Sequence, residues 1–211
     1  MRDFMTADGI EPRDSGSRLP DLLRIRPIGI DDWSNVRYVH GNAFRTILGP
    51  HLTPETISAF LAALDDPGYV DRLCDCDLIG AWLDGELVGT AGWRRVDDRA
   101  GVATIEGLFV RPMFAFMGIG SALLAHAESR ARDAGCVAFT ATVAPVSVPF
   151  MLRFGYDIAA HGADLPEAPF AEPMFLMRKR EGATARAPIV SGDAVDAGGI
   201  ALADEWIHAS D

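Results

Sequence analysis

The chain has few cysteines and lacks long apolar runs, and each shortage excludes a class of protein. Its 211 residues contain three cysteines, Cys74, Cys76 and Cys136, whose odd number and spacing match neither a disulfide framework nor a zinc site. We therefore expect reduced thiols that serve in packing, no bound metal and a cytoplasmic location. No run of about 18 apolar residues occurs, and the first residues form no apolar signal segment. The sequence thus predicts neither a membrane span nor secretion.

Positive charge is also in short supply. The chain has 19 Lys and Arg residues against 30 Asp and Glu residues, which gives a formal net charge of −11. It has no basic stripe of the kind that binds phosphate backbones, which argues against a nucleic-acid partner. An acidic surface suits a cationic amine substrate, although solubility accounts for the same charge without any ligand.

Composition divides the chain into three parts. Residues 1–20 are polar, with Gly and Pro, and are expected to form a flexible N-terminal segment. Residues 21–180 carry the periodic apolar patterns and are numerous enough to bury one substantial core. Residues 181–211 form an acidic, Gly- and Ala-rich tail with six acids and one base, in which residues 200–207 could make a short amphipathic helix.

Apolar spacing and turn residues predict the order β-α-α-β-β-β-α-β-α-β-β for the middle part. Asp84-Gly85 separates two apolar runs and is typical of a β-hairpin. Asp66-Pro67-Gly68 is interpreted as the end of the second helix. Hairpins combined with one strand–helix–strand unit indicate an α/β fold, with a mixed, mostly antiparallel sheet of about seven strands and helices on both faces.

The segment from Glu106 to Gly135 is the most informative part of the sequence. A buried strand ends at Pro112, the chain turns through Gly118 and Gly120, and a helix follows. Backbone N–H groups and the N-terminus of a helix then point at one place, which suits an anion such as a pyrophosphate. A glycine-rich turn with no ligand has the same local pattern, so the interpretation depends on the topology around it.

That topology resembles the GCN5-related N-acetyltransferase (GNAT) superfamily over about residues 22–180. The similarity rests on three patterns: Arg24-Ile25-Arg26-Pro27 with Asp31-Asp32, Asp84-Gly85-Glu86-Leu87-Val88-Gly89, and Leu108-Phe109-Val110-Arg111-Pro112 leading to Gly118-Ile119-Gly120-x-x-Leu123-Leu124. The resemblance implies an acyl-CoA-dependent N-acetyltransferase, with acetyl-CoA as co-substrate and a primary amine of a small molecule as acceptor. Homodimers are common in this superfamily, so a second copy of the chain is a candidate partner.

The same resemblance assigns roles along the fourth strand and the turn. Phe109 and Val110 would meet the pantetheine arm through their backbone, and the Val110 N–H would donate to the oxyanion. The pyrophosphate would lie on the N–H groups of residues 115–121. The implied acyl-CoA contacts are Leu108, Phe109, Val110, Ala115, Phe116, Met117, Gly118, Ile119, Gly120 and Ser121.

The chain departs from the family pattern Gln/Arg-x-x-Gly-x-Gly/Ala at this turn. Ala115 stands at the Gln/Arg position, and Phe116 and Met117 replace residues that are commonly Gly and Arg. Losing one charge-assisted hydrogen bond, worth about 1.5–3 kcal/mol, would weaken acyl-CoA binding by roughly one to two orders of magnitude. We expect Phe114, Phe116 and Met117 to be buried. The alternatives are contact with adenine, with a second subunit or with a hydrophobic segment.

Amine acetylation requires a neutral amine and a route for its proton. Glu106 is the candidate general base, and strand alternation predicts that its side chain shares a face with Leu108 and Val110. An exposed or salt-bridged strand glutamate is an equally good interpretation. Met151 stands where the family often has a Tyr that protonates the CoA thiolate, so water would supply that proton. A degenerate member that binds or regulates without catalysis is therefore the alternative function.

Other conspicuous side chains are expected to be structural. Tyr156 is predicted to be a core residue on the strand after the short helix. His40 and His51 are interpreted as ordinary histidines of the first helix and the loop after it. Trp82 and Trp93, on the central hairpin, are expected in the core rather than in the wall of an acceptor pocket.

Overall fold

The computed structural model describes residues 22–96, 101–162, 174–180 and 182. The predictions for the N-terminal segment 1–20 and for the tail 181–211, including its helix at 200–207, lie outside the described residues, apart from Gly182. Within the described part of the chain, no helix is both long enough and apolar enough to cross a bilayer.

A sheet of seven strands forms the centre of the described fold. The strands are β1 (Arg24–Pro27), β2 (Asp77–Leu83), β3 (Glu86–Arg95), β4 (Val102–Val110), β5 (Ala138–Val143), β6 (Asp157–Gly162) and β7 (Met174–Arg180). Their order across the sheet is β1-β2-β3-β4-β5-β7-β6. β4 and β5 run parallel, and the other neighbouring pairs run antiparallel. The predicted mixed, mostly antiparallel sheet is confirmed.

Helices cover both faces of this sheet. They are α1 (Trp33–Ala43), α2 (Pro54–Leu64), α3 (Pro67–Cys74), α4 (Ile119–Asp133) and α5 (Val148–Arg153). A turn of π-helix at Phe44–Leu48 extends α1. Side chains of α1, α2 and α3 build the core on one face, and side chains of α4 and α5 build the core on the other. The sheet is therefore buried on both sides, as predicted.

The sequence pattern does not predict the helix α3, because Asp66-Pro67-Gly68 after an apolar helix indicates the end of α2. The Asp66 carboxylate accepts a hydrogen bond from the Gly68 N–H at 2.7 Å, and Pro67 occupies the first helical position. An acidic cap followed by proline is a helix start. The same three residues therefore end α2, as predicted, and begin α3, a third helix that the predicted order lacks.

A β-bulge interrupts β4 at Gly107, where φ is +61°. Thr90 pairs with Phe109 and Gly92 pairs with Glu106, so one residue of β3 faces two residues of β4 between these pairs. The Thr90 hydroxyl donates to the carbonyl oxygen of Gly107 at 2.6 Å and holds the bulge from the neighbouring strand. A positive φ suits glycine, which carries no Cβ.

The bulge changes the face on which the β4 side chains lie. Phe109 joins the core under α1 and α2, whereas Leu108 and Val110 pack against the core under α4. Since Glu106 and Phe109 pair with residues two apart on β3, Glu106 lies on the Phe109 face. The prediction that Glu106 shares a face with Leu108 and Val110 was wrong, because the extra residue reverses the alternation.

The two parallel strands separate after a short contact. β4 pairs with β5 only from Val102–Ala138 to Thr104–Thr140. Beyond Thr104, β4 continues along β3 while β5 continues along β7. The sheet therefore opens into a gap between the C-terminal parts of β4 and β5.

Two of the three cysteines match the packing expectation. Cys76 and Cys136 are buried, but Cys74 is exposed, so the expectation was wrong for Cys74. Cys74 occupies the last residue of α3, where the side chain faces away from the sheet core.

Candidate active site

A cavity of about 540 Å³ lies where β4 and β5 separate. Both strands contribute to its wall, as do the start of α4 and the middle of α5. Among the predicted site residues, the cavity is lined by Glu106, Leu108, Phe109, Val110 and Gly120. The other predicted contacts, Ala115 to Ile119 and Ser121, belong to the turn before α4 and to its first residues.

The edge of β4 carries peptide groups that face this gap. The Arg111 N–H donates to the Val88 carbonyl of β3 at 2.9 Å. Because peptide groups alternate in direction along a strand, the N–H groups of Leu108 and Val110 point away from β3, towards the gap. Phe109 has the same parity as Arg111, so its N–H faces β3 and its contribution to the cavity is its ring.

The turn before α4 presents further N–H groups. Phe116 and Gly118 both have left-handed backbones, with φ of +63° and +82°, and α4 begins at Ile119. Gly118 stands at the N-cap of α4 and has no side chain with which to cap the helix. Alternating backbone hands and an uncapped helix start leave several N–H groups without intrahelical partners, an arrangement that suits an anion.

The turn provides no positive charge for such an anion. Arg111 is the one basic residue between Leu108 and Ser121 in the sequence. Its guanidinium is buried, donates to the Glu86 carboxylate and lies beside the side chains of Met113 and Phe114, so its charge is already paired. The residues of this turn therefore fit a pyrophosphate through backbone dipoles, without charge assistance from the turn itself.

The expectation that the apolar side chains of the turn are buried was wrong for two of three. Phe116 is fully exposed, at 108%, and Met117 is 45% exposed, whereas Phe114 packs against the core. The left-handed backbone at Phe116 carries its side chain out to solvent. Met113, at 72% exposure, extends the apolar surface of this turn.

Glu106 lies in the wall of the cavity and is held by an ion pair. Its Oε1 atom accepts from the Arg94 Nε at 2.6 Å, and its Oε2 atom is 3.8 Å from the Cys76 Sγ. Burial, followed by the nearby Glu106 charge, raises the pKa of Cys76 to about 12. The salt-bridged interpretation of Glu106 therefore describes its contacts, and its position still allows it to face a substrate.

A chain of buried hydrogen bonds links the cavity to the bulge. The Tyr69 hydroxyl lies 2.5 Å from Nδ1 of His40, whose Nε2 lies 2.7 Å from the Thr90 hydroxyl. Thr90 donates its single proton to Gly107, so it must accept from Nε2. Nε2 of His40 therefore carries a proton. Because complete burial disfavours the charged ring, the imidazole is neutral and Tyr69 donates to Nδ1. Burial lowers the pKa of His40 to about 3.

The sequence does not predict this relay, because its pattern indicates only an ordinary histidine in the first helix at position 40. His40 is completely buried, and its ring centroid lies 4.3 Å from that of Phe109. Tyr69 lines the cavity at the other end of the relay, and burial raises its pKa. The only sequence signal available was a histidine at an apolar position of a helix.

The position at which the family often has a thiolate-protonating Tyr carries no proton donor in this chain. Met151 is buried in the cavity wall and carries no ionisable proton. The Tyr156 hydroxyl, five residues later, donates to Glu128 at 2.9 Å within the core, where burial raises its pKa. The structural role expected for Tyr156 is confirmed.

The gap between parallel strands, the bulge and the glycine turn together define an acyl-CoA-dependent acetyltransferase class. The sequence profile described as Acetyltransferase (GNAT) family matches residues 46–156. The chain therefore belongs to the GNAT acetyltransferase family. No curated protein sequence matches the chain.

Solved structures share the fold at low sequence identity. The PaiA N-acetyltransferase from Thermoplasma acidophilum, in complex with coenzyme A, has a TM-score of 0.63 and 19% identity, and covers 75% of this chain and 98% of its own. A GCN5-related N-acetyltransferase from Rhodopseudomonas palustris has a TM-score of 0.65 and 20% identity, and the match covers 74% of this chain and 94% of that protein. N-acetylglutamate synthase from Neisseria gonorrhoeae, complexed with coenzyme A and N-acetyl-glutamate, has a TM-score of 0.56 and 20% identity. The match covers 75% of this chain and 35% of that protein.

Proposed function

We propose that the protein transfers an acetyl group from acetyl-CoA to the primary amine of a small molecule, by direct attack in a ternary complex. The separation of β4 from β5 after Thr104 is the observation that carries this proposal. It opens a cavity with backbone N–H groups on one wall and acceptor-sized space beside them. An amine and a thioester held in one such cavity would react without a covalent enzyme intermediate.

The chain would bind acetyl-CoA mainly through its backbone. The N–H groups of Leu108 and Val110 would pair with the pantetheine arm, and the Val110 N–H would stabilise the charge that develops on the thioester oxygen. The N–H groups of residues 116–121 would hold the pyrophosphate, because the Ala115 N–H already donates to the Pro112 carbonyl at 3.0 Å. A cytoplasmic location is part of the proposal and is supported by the free thiols of the three cysteines.

Glu106 would receive the proton of the amine, directly or through a water molecule. The ion pair with Arg94 fixes the orientation of its carboxylate in the cavity wall. Since Met151 carries no proton, solvent would protonate the departing thiolate.

Glu106→Gln tests this role. Turnover, measured by thiol release from acetyl-CoA with a panel of primary amines, should fall by about two orders of magnitude. The affinity for CoA should stay within about twofold, because Glu106 is not among the proposed CoA contacts. The exposed helix residue Glu55 provides a matched control, and Glu55→Gln should leave both values unchanged. Unaltered turnover in Glu106→Gln would remove Glu106 from the mechanism.

The second candidate is a binding or regulatory module that has lost catalysis. The uncharged turn and the buried Met151 favour it, because both depart from what efficient transfer requires. Saturable acetyl-CoA binding without thiol release from any amine would support this candidate against the enzyme.

A further inference from the structure

The acceptor half of the cavity has an unusual combination of aromatic surface and positive charge. Its apolar wall includes Phe44, Phe60 and Phe109, and the rings of Phe44 and Phe60 stack at 3.7 Å. Among the described residues, the charged side chains that line the cavity are Arg72, Arg94 and Glu106. Among the lining residues that the structure describes, two arginines against one glutamate leave an excess of one positive charge, although the whole chain is strongly acidic.

The two arginines have different roles. Arg94 is paired with Glu106 at 2.6 Å, so these two charges offset each other. Arg72 is exposed on α3 at the rim, with its guanidinium 5.3 Å from the Tyr69 ring centroid. Within the described parts of the chain, no carboxylate lies within ion-pair distance of Arg72. The excess charge of the cavity is therefore that of Arg72.

We propose that the acceptor is an amine that carries an anionic group, such as a carboxylate, on an apolar or aromatic body. This inference rests on the proposed acyl transfer, because the amine must reach the gap beside Val110. The aromatic wall would cover the body of the acceptor, and Arg72 would pair with its anion at the rim. A diamine or polyamine would place a second cation next to Arg72, and like charges repel.

Three matched acceptors separate these alternatives, because they share one aromatic body and one aminomethyl group. They are para-(aminomethyl)benzoate, para-methylbenzylamine and para-bis(aminomethyl)benzene, whose second groups are an anion, a methyl and a cation. We expect kcat/KM for the benzoate to exceed that for the methyl compound by about tenfold, the effect of a charge-assisted contact of about 1.4 kcal/mol. The bis-amine should be the poorest of the three. Equal values, or a preference for the bis-amine, would overturn the inference.

Arg72→Gln should remove the preference. Its kcat/KM for the benzoate should fall by about tenfold, to the level of the methyl compound, whose own value should change by less than about twofold. Arg45→Gln is the matched control, since Arg45 is an exposed arginine outside the lining of the cavity. A preference that persists in Arg72→Gln would overturn the assignment to Arg72.

Calorimetry keeps the inference testable if no amine is acetylated. With CoA present, the benzoate should bind at least about tenfold more tightly than the methyl compound, and Arg72→Gln should abolish the difference. Selective binding without turnover would support the acceptor class and contradict the proposed transfer. Turnover of all three amines without selectivity would support the proposed transfer and contradict the acceptor class. If neither binding nor turnover were selective, the inference would be overturned.

Discussion

Acidification should destabilise the protein through His40 while the carboxylates are still charged. His40 is completely buried as a neutral imidazole, and burial lowers its pKa from 6.5 to about 3. The unfolded chain therefore takes up a proton below pH 6.5 that the folded chain does not accept until pH 3. The contribution of His40 to stability is complete above pH 6.5 and is lost as the pH falls through this window.

The magnitude follows from the two pKa values. In a window where only the unfolded imidazole is protonated, the free energy of unfolding falls by about 1.4 kcal/mol per pH unit. Between pH 7 and pH 4.5 the integrated loss is about 2.5 kcal/mol, since the slope is shallow near pH 6.5. Asp32, whose pKa is lowered by the Gly29 N–H, loses its contribution below its usual value of 3.8, outside the range from pH 7 to pH 4.5.

Urea unfolding of the wild type and His40→Gln at several pH values measures this effect. We expect His40→Gln to be less stable at pH 7, because Tyr69 and Thr90 lose their ring partner. Between pH 7 and pH 4.5, its free energy of unfolding should fall by about 2.5 kcal/mol less than that of the wild type. His126→Gln, at an exposed helix position, is the control and should keep the wild-type slope. Equal slopes for the wild type and His40→Gln would refute the neutral, buried histidine.

Two further variants test the buried polar groups. Thr90→Val removes the hydroxyl that joins His40 to Gly107. Because two buried groups lose a partner, the free energy of unfolding should fall by about 2–5 kcal/mol. A loss below about 1 kcal/mol in urea unfolding would contradict the relay. Glu128→Ala leaves the Lys179 ammonium, 2.8 Å from the carboxylate, without its partner and should cost about 3–5 kcal/mol, whereas Glu128→Gln should cost less. If both Glu128 variants melted at the wild-type temperature, the ion pair between Glu128 and Lys179 would have no role in stability.

Local sequence signals predicted those elements whose cause is local. Asp84 and Gly85 both adopt positive φ, of 49° and 83°, so the Asp-Gly pair forms the expected hairpin turn. Asp66-Pro67-Gly68 is a local signal that both ends α2 and begins α3, and the sequence prediction uses it only as an end. A glycine within a strand is a recognised sign of a bulge. Overlooking that sign at Gly107 placed Glu106 on the wrong face of the sheet.

The candidate site depends on contacts that no local pattern contains. His40 is separated from Tyr69 by 29 residues and from Thr90 by 50 residues, and the three meet because α1 and α3 pack on the same face of the sheet. The exposure of Phe116 follows from the path of the turn, whereas its hydrophobicity alone favoured burial. The acyl-CoA turn itself was predicted because its glycines, strand and helix are consecutive in sequence.

Calorimetric titration with acetyl-CoA, combined with a variant that fills the gap between β4 and β5, tests the central claim most directly. A Cβ at Gly120 would lie 3.6 Å from both Phe150 and Val110, an ordinary contact, so the larger side chain of Gly120→Leu should extend into the cavity without disrupting the fold. We predict saturable one-to-one binding to the wild type and affinity at least about tenfold lower in Gly120→Leu, with similar melting temperatures. Absence of binding to the wild type at millimolar acetyl-CoA, or equal affinity in the two proteins, would contradict an acyl-CoA site in this gap.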